Sequence, residues 1–72
     1  MNPEELKLNC YYVRLDTGYK KYDILKYLGK RFVTPPFIFR FKTLEGWVHM
    51  SELGLLTIIK EISYEEAMAE IL

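Results

Sequence analysis

An alternation of rings and cations constrains this chain more than any other stretch in it. From Pro35 to Leu53 the sequence reads PPFIFRFKTLEGWVHMSEL, with Phe37, Phe39 and Phe41 interleaved with Ile38, Arg40 and Lys42. A period of two marks a strand with one buried face. Thr43, Leu44, Glu45 and Gly46 supply a four-residue loop in which Gly46 is free to take a positive φ. Trp47 to Met50 is then the returning strand. With that loop, Lys42 stands opposite Trp47, Phe41 opposite Val48, Arg40 opposite His49 and Phe39 opposite Met50. Cross-strand partners share a face. One face of the hairpin therefore carries Phe37, Phe39, Phe41, Val48 and Met50 and reads as core. The other carries Arg40, Lys42, Trp47 and His49 and reads as a surface that binds something.

Length decides how much core there is to make. A chain of 72 residues is one domain and buries only roughly 60% of its unfolded surface. Large rings offset that, because each removes much area from water, and aromatics are 15% of the chain. The 50% hydrophobic and 28% charged content is that of a globular domain. Cys10 is the only cysteine, so no internal disulfide forms and a cytoplasmic setting is expected. No apolar run is long enough to span a bilayer, and nothing resembles a signal peptide.

Net charge is zero, but the charges are sorted along the chain. Lys7 to Lys42 holds nine cations and only Asp16 and Asp23, a balance of +7. From Thr43 onward six glutamates face Lys60 alone, a balance of −5. Folding either interleaves the two halves or leaves an electrically polarised molecule.

Taken in order, Asn2-Pro3-Glu4-Glu5 has the marks of a helical turn: a capping residue, a proline at the first position and acids behind it. Leu8 to Leu15 suits a strand. Leu8, Cys10 and Tyr12 fall on one face and Tyr11, Val13 and Leu15 on the other, and two apolar faces imply a central position. Asp16-Thr17-Gly18 signals a turn. Tyr19 to Leu28 reads two ways. As a helix, Tyr22, Leu25 and Leu28 share a side and Gly29 is the stop. As a strand, it pairs back onto residues 8–15. Its poor alternation favours a short helix or mixed turn. Lys30 to Val33 suits a short strand, and Pro35-Pro36 marks a sheet edge or a corner.

Beyond the hairpin, Ser51 to Gly54 reads as one tight helical turn closed by Gly54, and Leu55 to Ile62 as a strand. Ser63 and Glu66 then have the spacing of a capping box. Tyr64, Ala67, Met68, Ile71 and Leu72 follow at helical spacing, which predicts an amphipathic C-terminal helix. The expected fold is mainly β (α+β): a small SH3-like or OB-like barrel of four to five short strands with that helix at its end.

The chemistry-bearing residues argue for binding and against catalysis. One histidine, His49, and one thiol cannot fill a structural metal site, and no acid near His49 in sequence orients it against Ser51. There is no phosphate-cradling glycine loop. The chain is expected to be no enzyme and to carry no cofactor or metal. The cation-and-ring face suits single-stranded nucleic acid, where cations neutralise phosphates and rings stack on bases. Tyr11, Tyr12, Tyr19, Tyr22 and Tyr27, interleaved with Arg14, Lys20, Lys21 and Lys26, repeat the theme. The candidate site is Arg40, Lys42, Trp47, His49, Arg14, Lys20 and Lys21. Tyrosines and a lone tryptophan serve as readily as core rings.

The stretch Glu45-Gly46-Trp47-Val48-His49-Met50-Ser51-Glu52-Leu53 resembles the E-G-(apolar)-V-H-(apolar)-S-E-L string of S1 RNA-binding domains. The resemblance covers nine residues and implies an OB-fold barrel that binds single-stranded RNA, with His49 on the binding surface. The glycines that precede this string in S1 domains are missing, Gly54 after it is followed by Leu55-Leu56 instead of an aspartate and an alternating valine strand, and the phenylalanines fall on the face opposite His49. A second expectation is a protein-interaction module, of a small phage-type or bacterial kind, that docks on a partner protein or forms a homodimer. It rests on the neutral balance, the acidic C-terminal third and the apolar helix face.

Overall fold

The computed structural model describes residues 1–16, 21–31 and 36–71. Among them five strands form one antiparallel sheet: β1 (Tyr11–Asp16), β2 (Lys21–Lys30), β3 (Phe39–Thr43), β4 (Gly46–Met50) and β5 (Ile58–Ile62). The order across the sheet is β4-β3-β2-β1-β5. Two 3-10 segments, η1 (Pro3–Glu5) and η2 (Glu52–Thr57), and one helix, α1 (Tyr64–Ile71), complete the fold. The small, mainly β domain with a C-terminal helix is therefore present, with β4 and β5 as the outer strands of an open sheet.

The β3–β4 hairpin has the expected register. Phe39 pairs with Met50, Arg40 with His49, Phe41 with Val48 and Lys42 with Trp47. The loop is two residues shorter than the sequence suggests, because Thr43 and Gly46 themselves pair. The Thr43 hydroxyl donates to the Gly46 carbonyl at 3.0 Å and accepts the Glu45 N–H at 3.1 Å, which holds the turn closed. Gly46 has φ +138°, a conformation side chains disfavour.

Alternation then sorts the faces. Phe39 and Phe41 are fully buried with Tyr12, Leu25 and Leu55, and Tyr27 and Ile58 complete the cluster. Each such side chain contributes roughly 1.5–3 kcal/mol on leaving water. Met1, Leu6, Cys10, Phe37, Val48 and Met50 pack around it. Tyr27 lies 5.3 Å from Phe41 and 6.5 Å from Phe39, ring centre to ring centre. The buried Tyr12 hydroxyl is satisfied by accepting the Lys7 N–H at 2.7 Å. Tyr12 and Tyr27 are thus core rings and not part of an interleaved binding surface.

β1 is central, between β2 and β5. It starts later than the sequence suggests, at Tyr11, because Asn9 takes φ 65° and turns the chain. Residues 21–28 are strand and not helix. β2 runs ten residues and pairs with β1 from Lys21 to Lys26 and with β3 from Lys26 to Lys30. Two ladders outweigh a weak local pattern, and a strand flanked on both sides needs no clean alternation. Gly29 is correspondingly no helix stop. It sits at φ +107° where the β2–β3 register shifts between Tyr27 and Gly29, a β-bulge. The turn expected at residues 16–18 and the strand expected at 30–33 fall largely outside the described residues, as does Pro35.

Gly54 does not close a turn either. η2 continues through it to Thr57, so β5 starts only at Ile58 and not at Leu55. The glycine is required by proximity: a Cβ there would lie 2.8 Å from the Met50 Cβ. η2 contacts β1, β4 and β5 and caps one end of the core. The capping box forms as its spacing predicts. The Glu66 N–H donates to the Ser63 hydroxyl at 3.1 Å, and the Glu66 carboxylate accepts the Ser63 N–H at 3.5 Å. Ala67 is buried and Met68 half-buried, while Tyr64, placed on the same face by its spacing, stays largely exposed.

Candidate functional site

The residues the hairpin turns outward extend into a row across four strands. Trp47 on β4 pairs with Lys42 on β3, Lys42 pairs with Lys26 on β2, and Lys26 pairs with Tyr11 on β1. The row reads ring, cation, cation, ring and spans about 14 Å at the usual strand spacing. Trp47 is 67% exposed, although a lone tryptophan in so small a domain could have been its central ring. Lys42 and His49 are exposed too. At the other end, the Lys26 ammonium lies 6.0 Å from the centre of the Tyr11 ring, which meets Tyr64 of α1 edge-on at 5.9 Å.

Arg40 stands one pleat along from Lys42 and is half-buried. Its guanidinium points at the carbonyls of Leu28 and Gly29, each at 3.5 Å. The Gly29 bulge makes that approach possible, because both carbonyls then sit opposite one arginine. At that length the contacts are weak and leave the positive group able to rebind elsewhere.

Arg14 sits apart from this row. It pairs with Asp23 on the inner face, with a guanidinium-to-carboxylate distance of 2.7 Å and both side chains 18% exposed. A depression of about 160 Å³ nevertheless has Arg14, Asp23 and Trp47 among its lining residues. Lys21 belongs to β2 opposite Asp16, and Lys20 lies outside the described residues. The structure thus brings Arg40, Lys42, Trp47 and His49 together. Lys26 and Tyr11 join them, although the candidate set lacks both. The signal for Lys26 was its place in a basic, tyrosine-rich run, and reading β2 as a strand would have put it beside Lys42.

The Lys26–Lys42 pair is the unusual feature. Like charges directly opposite in a ladder repel, and no carboxylate separates these two in the row. An anion laid across them relieves the repulsion, the exposed Trp47 indole offers a flat surface on one side, and on the other Tyr11 is half-buried against Tyr64. Among the described residues no group of three or more His, Cys, Asp or Glu side chains is placed to hold a metal ion. No helix among them is long and apolar enough to cross a membrane. Comparison with known protein families, curated proteins and solved structures finds no match for this chain.

Proposed function

We propose that this protein is a small, non-enzymatic binding module that takes single-stranded nucleic acid, RNA in the first instance, on the outer face of its sheet. The observation that carries the reading is the ladder Trp47–Lys42–Lys26–Tyr11. Phosphate oxygens bridge Lys26 and Lys42, and bases stack on Trp47 at one end and Tyr11 at the other. Arg40 and His49 extend the surface along the strands. The S1-like stretch from Glu45 to Leu53 supports the same assignment, because His49 is exposed on that face. Of the two small-barrel types, the SH3-like one accords better with β3 pairing β4 and with β5 returning beside β1.

Binding of a labelled single-stranded oligonucleotide at low salt, followed by fluorescence anisotropy, tests the proposal. Three cations on phosphates give a log-affinity slope of about −2 against log salt, at about −0.7 per phosphate for single strands. Absence of binding at about tens of micromolar protein in low salt, where this electrostatic term is strongest, ends the reading.

A further inference from the structure

The outer face carries a second feature that nucleic-acid binding leaves unused. A groove of about 530 Å³ opens on it, reaching from α1 to the β3–β4 turn. Val13, Ile24 and Ile62 line it from the sheet. Glu66 and Glu70 come to it from α1, beside one cation among the lining side chains, Lys60. At its margin Leu44 and Tyr22 are 74% and 67% exposed. Apolar side chains among carboxylates select an occupant that is apolar at its centre and positive at its border.

The chain displays such a group on its own surface: the Trp47 indole with Lys42 beside it in the ladder and Lys26 next. We infer that the groove is filled by a second copy of this chain, the Trp47–Lys42 edge of each seated in the groove of the other. Row and groove belong to the same face of one sheet. A two-fold axis between them brings both pairs together at once, so the contact closes as a dimer and does not propagate. The molecule measures 37 × 25 × 20 Å, so the roughly 800 Å² per partner of a standard interface would engage most of its broadest face. The separation of charge that leaves the chain neutral is what makes it complementary to itself.

Sedimentation equilibrium of the full chain tests this. At low salt the mass rises with concentration from 8.6 kDa towards twice that value, and high salt returns it to the monomer. Lys42→Glu and Glu70→Lys each set like charge against like in both halves of the contact and weaken the dimer by about tenfold or more. Mixing the two variants restores a dimer, because the reversed charges meet each other in one half and the native pair survives in the other. Circular dichroism confirms that each variant is folded. A monomer at every concentration and salt, a dimer indifferent to both reversals, or a mixture that stays monomeric overturns the inference. So does tight binding of a labelled peptide of alternating leucine and lysine to a chain that remains monomeric, which assigns the groove to a foreign basic segment. Dimer and oligonucleotide compete for Trp47 and Lys42, but Glu70 lies outside the lysine row, so Glu70→Lys removes the dimer while oligonucleotide binding persists, and the two readings fail separately.

Discussion

Lys26 and Lys42 lie directly opposite each other in the antiparallel pairing of β2 and β3. The free protein therefore carries cationic side chains on two directly paired residues, and an anion that neutralises both is favoured. Lys26→Glu turns the repulsion into an attraction and should raise stability by about 0.2–1 kcal/mol. The same change should weaken oligonucleotide binding and make its salt slope shallower by about 0.7. Thermal unfolding and anisotropy on one sample check both halves. A variant that is more stable and binds equally well contradicts the role of Lys26.

Trp47 reports on the face directly. In the dilute monomer, an indole that is 67% exposed should emit at long wavelength and be quenched readily by acrylamide. A stacked base should protect it. Titration with oligonucleotide is expected to lower both the emission and the quencher's access, and Trp47→Ala should cost about 1–3 kcal/mol of binding. Unchanged quenching at saturation would place the bases elsewhere.

Two glycines should resist substitution for different reasons. Gly54→Ala forces a Cβ to within 2.8 Å of the Met50 Cβ, and overpacking of this kind costs about 1–3 kcal/mol. Gly46→Ala meets no neighbour, but its φ of +138° is strained for any side chain, at about 1–3 kcal/mol. Urea unfolding of each variant measures the loss.

The core tyrosines set an alkaline limit. Burial pushes the Tyr12 hydroxyl above the ordinary value of 10.0, although the Lys7 N–H it accepts pulls the other way. Tyr27 is raised as well, by burial and then by its neighbour Tyr12. A hydroxyl that ionises at higher pH in the folded than in the unfolded chain binds its proton more tightly when folded. The stability it lends is complete below pH 10 and falls as the pH climbs past 10 and through the higher folded value. Unfolding by urea across that window should show the decline, and Tyr12→Phe should reduce it.

The hairpin was legible because its information is local. The alternation of Phe37 to Lys42 and the glycine at position 46 set both the faces and the register. The capping box of Ser63 and Glu66 was legible for the same reason, since four residues contain it. Residues 21–28 were not. Nothing in Tyr22, Leu25 and Leu28 reveals that ladders to β1 on one side and β3 on the other hold the segment extended. That one misreading hid Lys26 from the candidate site and assigned Gly29 to a helix end instead of a bulge. Gly54 misled in a related way: its role is set by Met50, four residues back and across a bend, and no rule of local propensity encodes such a contact.

The six residues of η2 join β4 to β5, which lie at opposite margins of the sheet and share no hydrogen-bond ladder. Both margins therefore hang on one short brace that covers the end of the core. Lifting it frees the two together, so amide protons of Val48 and Lys60 should exchange with solvent in a common opening event, distinct from the slower one that releases β1 and β2.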